Sequence, residues 1–430
     1  MSKLKLSWIE PHIFGQKIAK NFEQENWIFL YSGLHKKVKN SRSYIAIFEQ
    51  EKILCDNFFE AKKLIENSDK KWFGYFSYEV GQDFEKMPKT KKSVIALPKI
   101  WLANFSVVLE FNHDLCELVA EFDDKKKLEK LLNQSFTSNN ETNLNLEILS
   151  FGSNFSNASY LKSISQIKKC IVAGDFYQTN LTRKFFGKFA KKLSHQENFQ
   201  LFLKLTKLSP ANYSSFLKLD KNYVISSSPE LFLKIKNRKI LSRPIKGTAP
   251  RHSILSQDQK NKLNLQKSSK ERAENLMIVD LVRNDLARVC KPGSVLVRKL
   301  FSITSYQNVH HMSSEISGKI MPNFFTTDAI STCFPPGSMT GTPKIKAIEF
   351  AAKKEKLNRG IYSGSIGFLS RREANLNVVI RTLVVGENKF EFQVGGAITF
   401  DSNENSELQE IFSKASAICQ ILGINLKKIS

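Results

Sequence analysis

Apolar positions along this chain follow two rhythms, and the switch between them divides it. Before residue 130, strand-like runs at Trp27–Tyr31, 43–48 and 100–111 alternate with polar breaks. A stretch rich in Asn and Ser, residues 133–157, then reads as a linker. Beyond it the period lengthens: Tyr160, Leu161, Ile164, Ile167, Cys170 and Ile171 recur at helical spacing, and Gly174 supplies a stop. Strand-like runs return at 176–186, Tyr213–Leu219, 223–228 and 231–235, followed by a helix over roughly 267–289. Strands are expected again at 364–369, 376–385 and 390–394, with a turn at 386–388 between the last two. A final amphipathic helix, 406–422, presents Ile411, Ala415, Ile418 and Leu422 on one face. The blocks are unequal and do not alternate as βαβ units, so the predicted class is α+β. The linker suggests two domains, 1–150 and 151–430.

Composition narrows the setting. The chain has 430 residues, 41% hydrophobic and 25% charged, enough for a buried core in a soluble globular protein. Its apolar runs, such as 276–279 and 378–380, are far shorter than the ~20 residues that cross a bilayer. The opening MSKLKLSWIEPH has no apolar core of a secretory signal, and the six cysteines include no C-x-x-C pair. A cytoplasmic protein without membrane contact is expected. The net charge of +24 raises nucleic acid as a partner, but the lysines are dispersed, with short clusters only at 125–127 and 353–354, and no nucleic-acid-reading motif accompanies them. A basic surface also draws in small anionic substrates at low salt.

Three groups of residues could carry chemistry. The first is RPIKGT, residues 243–248, where Lys246 stands beside a glycine that lets backbone approach a ligand. An amine nucleophile must be unprotonated, which requires burial or a nearby cation; among 65 Lys and Arg, a lysine taken alone reads as solvent-facing. The second is a pair of carboxylate clusters, Glu271, Glu274 and Asp285 on one predicted helix and Glu404, Glu407 and Glu410 on another. Carboxylates from two helices suit a hard cation such as Mg²⁺, although solvated helix faces look the same in sequence. The third is glycine-bearing turns, PPGSMTGTPK at 335–344 ahead of a helix-like run at 345–352, and VGGA at 394–397. The first of these could offer free N–H groups to an anion but lacks the order of a phosphate-binding P-loop. Arg381, inside VVIRTLVV, needs an acid partner or an anionic ligand if it points inward, and His311 is a lone candidate acid or base.

Together these segments resemble the chorismate-utilising enzymes, the family that includes anthranilate synthase component I, the aminodeoxychorismate synthases, and the isochorismate and salicylate synthases. The resemblance runs through SSSPELFL, SRPIKGTAPR, RAENLMIVDLVRNDLARVC, PPGSMTGTPKIKAIE, GIYSGSIGF, VVIRTLVV and VGGAITFDSNENSELQE, and more thinly through WIFLYSG and WFGYFSYEVG near the N-terminus. It implies large antiparallel sheets packed against helices, with a family-type N-terminal domain over 1–150 and a chorismate-binding catalytic domain over 151–430. Two positions are similar to the para-aminating branch. Lys246 stands in PIKGT where anthranilate synthases typically carry alanine, and Gln178, in YQTNL, stands where the isochorismate and salicylate enzymes use a water-activating lysine.

The roles below are what the resemblance implies. Lys246 is the nucleophile, Glu230 the general acid and His311 a further site residue. Glu274 and Glu410 bind Mg²⁺. Gly247, Thr248, Tyr362, Arg381, Gly395, Gly396 and Ala397 contact chorismate. Ser32 matches a serine that holds tryptophan in some members of this branch. The reaction would be amination of chorismate to 4-amino-4-deoxychorismate, toward p-aminobenzoate and folate. Because no glutaminase nucleophile motif is recognisable, a separate glutamine amidotransferase would supply ammonia. The competing readings are an anthranilate synthase component I and a non-catalytic basic binding protein on the same fold.

Overall fold

A computed structural model describes residues 1–34, 41–134, 144–306 and 309–426. Its strands join in a single hydrogen-bonded network of twenty, and helices pack against it. Trp27–Tyr31 lies between Arg42–Cys55 and Tyr213–Leu219, and Trp72–Phe76 lies between Ile100–Asn112 and Ser365–Leu369, all antiparallel. Segments 1–150 and 151–430 therefore share strands as well as an apolar core. In that core Trp27, Phe29 and Phe216 meet Phe199 and Phe202 of the helix His195–Leu208. The indole N–H of Trp27 donates to His195 Nε2 at 3.0 Å, so its one polar group is satisfied inside the apolar cluster.

Most rhythmic segments form the expected elements. The helix Asn157–Val172 is capped by Ser156, whose hydroxyl accepts from the Ser159 N–H, and Glu404–Leu422 is capped by Asn403. Two readings change and one helix is added. Residues 135–143 of the expected linker lie outside the described residues, but Ile148–Ser153 is a strand, held by Phe151 stacking on Phe185, Phe390 and Phe392. The expected helix over 267–289 forms as Ser269–Ala287, capped by the Ser268 hydroxyl, and a further helix, Leu255–Lys267, precedes it. The run at 376–385 is two strands, Ala374–Asn377 and Thr382–Gly386. The first pairs with Leu231–Lys236 and the second with Asn222–Ser228, so the chain changes partner in between, where Arg381 adopts φ 53°. That break turns Arg381 out of the ladder.

No helix among the described residues is long and apolar enough to cross a membrane. The join between Trp72–Phe76 and Ser365–Leu369 sets Gly74 opposite Gly367, and each packs tightly on its other neighbour, Gly74 on Trp101 and Gly367 on Asn375. A Cβ on Gly367, at φ 158°, would stand 1.9 Å from the Asn375 carbonyl oxygen, so neighbouring backbone would have to move. Gly367→Ala is expected to lower the unfolding free energy by roughly 2–4 kcal/mol in urea titration. A loss below about 0.5 kcal/mol would show that the strands separate more freely than this packing implies.

Candidate active site

Strand Ile245–Pro250 runs antiparallel to Val309–Lys319, but the register slips between Ile245 and Thr248, leaving Lys246 and Gly247 in a bulge. Gly247 takes φ 85°, and a Cβ there would press on Glu271, so this position favours glycine. The bulge opens Lys246 and Gly247 to a cavity of about 260 Å³. Glu230 enters from the turn after Asn222–Ser228, fixed by the Val378 N–H donating to its carbonyl at 3.1 Å. Helix Ser269–Ala287 contributes Lys270, Glu271 and Glu274, and helix Glu404–Leu422 contributes Glu407, Glu410 and Lys414. Thr248, His311, Tyr362, Arg381, Gly395 and Ala397 complete the expected set. Gly396 is not on the wall and faces Glu407 Oε2 instead.

Charge in the cavity is crowded and partly balanced. Burial pushes the Glu230 carboxyl up to about 7, against the opposing pull of Ser338 and Lys246, so it holds a proton near neutrality. Lys246 Nζ donates to the Ser338 carbonyl at 3.3 Å. Burial raises Glu271, Glu274 and Glu407, with Glu410 adding to the effect on Glu271 and Glu407, and Glu271 on Glu274. Glu410, 48% exposed at the mouth, is held low: desolvation works against its charge, but Lys414 at 2.6 Å together with Lys246 and Lys270 outweighs it. Lys270 stands 3.6 Å from Glu407 and 4.0 Å from Glu274. Burial holds His311 down at about 3, with Arg381 adding to the effect, so its ring is neutral; neither nitrogen has a hydrogen-bond partner among the described residues. It can orient a ligand by hydrogen bonds without serving as an imidazolium acid. Burial also lowers Arg381, whose guanidinium donates to Ser209 Oγ at 3.2 Å and meets no neutralising carboxylate among the described residues. It is poised for an anionic ligand.

Do these residues fit a magnesium ion? Glu407 Oε2 is buried without a hydrogen-bond partner among the described residues, and burial raises the Glu271 and Glu274 carboxyls despite the lysines beside them. An all-oxygen donor set from two helices suits a hard cation. No three His, Cys, Asp or Glu side chains among the described residues are gathered closely enough to hold an ion alone, so water and ligand oxygens would complete its shell. The donors fit.

Several sequence candidates fall elsewhere. Asp285 pairs with Lys344 at 2.9 Å and Glu404 lies 3.6 Å from Lys168, both away from the cavity. In the turn at 335–344, Gly341–Thr342 pairs with Gln178–Thr179, and Ser338 and Met339 join the cavity wall. Ser32 lies on a second cavity of about 480 Å³, where it accepts from Ser41 Oγ at 2.6 Å. Wall residues that no motif singled out include Asn180, Lys270, Gln393 and Lys414. The two lysines were visible as i,i+4 partners of Glu274 and Glu410; Asn180 and Gln393 carry no local signal.

Comparison with known proteins places this geometry. Residues 23–420 match the chorismate binding enzyme family. Aminodeoxychorismate synthase component 1 of Salmonella typhimurium is 34% identical over 348 residues, covering 80% of this chain and 75% of that protein. Anthranilate synthase component 1 of Buchnera aphidicola subsp. Rhopalosiphum maidis is 32% identical, covering 94% of this chain and 81% of that one. The crystal structure of anthranilate synthase component I from Streptococcus pneumoniae superposes with a TM-score of 0.77 at 24% identity, covering 88% and 92% of the two chains. The expected α+β fold of large antiparallel sheets and helices is that of the chorismate-utilising enzymes.

The buried Glu230 carboxyl has a consequence for stability. An acid whose folded pKa is raised binds more protons folded than unfolded, so its contribution is full at low pH and is lost as pH rises through about 7. Glu230→Gln removes that loss. Its melting temperature relative to the wild type should climb between about pH 5 and about pH 8, followed by calorimetry. A difference that stays flat or falls would contradict a protonated Glu230.

Proposed function

The chain belongs to the chorismate-binding enzyme family, and from that premise we propose that it aminates chorismate at C4, giving 4-amino-4-deoxychorismate. One observation carries the reading: Lys246 shares a cavity with Glu230, whose carboxyl burial raises to about 7, and with two carboxylate-bearing helices. Aminodeoxychorismate synthase component 1 is also the name borne by relatives in Salmonella typhimurium and Escherichia coli, each 34% identical.

Chorismate would bind with its ring between Lys246 and Glu230. Arg381, which meets no carboxylate among the described residues, and Tyr362 would take the enolpyruvyl side, with His311, Gly247, Thr248 and the backbone of 395–397 around the ring. Glu274 and Glu410 would hold Mg²⁺, whose chemistry there is to neutralise the ring carboxylate and draw electron density from the ring. The Lys246 amine attacks C2, the double bonds shift and the C4–O bond breaks. Glu230 gives the oxygen its proton, so it leaves as water. Ammonia then attacks C4, the double bonds shift back and the C2–N bond breaks, releasing Lys246. The new C4 ammonium returns one proton to Glu230. Two displacements leave nitrogen at C4, whereas a single displacement would leave it at C2. Without a lysine at 246 the cavity would favour the second outcome, the ortho-amination of an anthranilate synthase.

The ammonia would come from a separate glutamine amidotransferase. All six cysteines are free, which supports action in the reducing cytoplasm. The second cavity, with Ser32 on its wall, would hold the tryptophan suggested by the YSG resemblance.

Lys246→Ala should lower aminodeoxychorismate formation at least about a hundredfold, assayed with chorismate, Mg²⁺ and ammonium. Turnover close to wild type would exclude the covalent role. Glu410→Gln should raise the Mg²⁺ concentration for half-maximal activity by about tenfold or more, since a charged ligand is lost. An unchanged Mg²⁺ dependence would remove Glu410 from the metal site.

A further inference from the structure

Adjoining the cavity lies a second buried charge cluster. Arg359 and Glu355 are each 3% exposed, and Glu79 is 7% exposed. The Arg359 guanidinium donates to both Glu355 oxygens at 2.8 and 2.9 Å, to the Met339 carbonyl at 2.7 Å and to the Asn180 carbonyl at 2.8 Å. Tyr78 lies under it at 4.6 Å. Glu355 also accepts from the Thr182 N–H at 2.9 Å. Glu79 accepts from the N–H groups of Arg359 and Gly360 at 2.8 and 3.0 Å, fixing the backbone that leads to Tyr362.

We infer that Arg359 is a positioning residue for substrate binding, acting through the backbone of the cavity wall, and that Glu79 steadies it from the N-terminal segment. Asn180, Met339 and Tyr362 all line the cavity, and they come from a strand, a turn and a loop distant in sequence. One planar guanidinium joins the first two directly, and Glu79 anchors the segment carrying the third. A buried ion pair is weak evidence for stability in itself, because apolar residues of similar volume often serve as well. What apolar residues cannot supply is a rigid fork that fixes two carbonyls at set directions. Lysine cannot supply it either, since its ammonium is a point charge on a flexible stem. Glu274 and Glu410 sit on other helices, which the cluster does not bond, so its effect should fall on chorismate and spare the metal.

The test rests on the chorismate reading and compares Arg359→Lys with the wild type and with Lys184→Met. The Lys184–Glu391 pair, 3.1 Å apart, is similarly buried but neither member lines the cavity. Arg359→Lys should raise KM for chorismate about tenfold while the Mg²⁺ requirement stays within about twofold of wild type. Lys184→Met should lower Tm and leave KM within about twofold. Equal KM values for Arg359→Lys and the wild type would overturn the inference, as would an equal rise in Lys184→Met. If Arg359→Lys does not fold, Glu79→Gln takes its place: a KM raised at least about threefold supports the inference and an unchanged one overturns it. A wild type that neither binds nor consumes chorismate would instead defeat the proposed function.

Discussion

Carboxylates can be drawn together inside a protein only where something offsets the cost of stripping them of water, and that constraint organises this molecule. Helices Ser269–Ala287 and Glu404–Leu422 aim four glutamates at one cavity, and Lys246, Lys270 and Lys414 balance them incompletely. The residue of that imbalance is legible in the side chains: Glu271, Glu274 and Glu407 are raised, and one oxygen of Glu407 has no partner among the described residues. A site in this condition is prepared for a divalent cation and an anionic ligand. Glu230, on the same wall, meets the same desolvation, which raises its carboxyl to about 7. Burial thus acts on all these glutamates, and the lysines around each set how far it is offset.

Holding such a cavity open requires a stiff frame. Its walls come from elements far apart in sequence, joined by one strand network in which early strands pair with late ones. Where the network is interrupted, the interruptions serve the site. The bulge at 246–247 exposes the lysine, and the change of partner near 381 turns the arginine inward. These are the places where the ladder gives up a hydrogen bond or adopts positive φ, and compensation comes from the dense pairing around them.

Much of the frame could be read in the sequence, because its strands and helices bury one face against a common core. Tyr213–Leu219, Asn157–Val172 and Glu404–Leu422 emerged from periodicity alone. Helix Leu255–Lys267 did not, since it buries little beyond Asp258 and Leu265 and has no apolar stripe to see. His195–Leu208 was also missed, although the Ser194–Glu197 capping box was a usable signal. The site was legible to different depths. Lys246, Glu230 and the glutamate clusters lie in motifs whose order resembles a known family, whereas Asn180, Gln393 and Arg359 act through long-range contacts that leave no local pattern. Asp285 and Glu404 looked equivalent to their neighbours until the structure paired each with a lysine elsewhere.

The central claim is that this cavity directs nitrogen to C4 of chorismate. It is tested most directly by identifying the product formed from chorismate, Mg²⁺ and ammonium, using mass spectrometry before and after addition of a lyase that releases p-aminobenzoate. The account predicts 4-amino-4-deoxychorismate that the lyase converts. Anthranilate formed without the lyase would contradict it, leaving the fold and carboxylate site in place but removing the role assigned to Lys246.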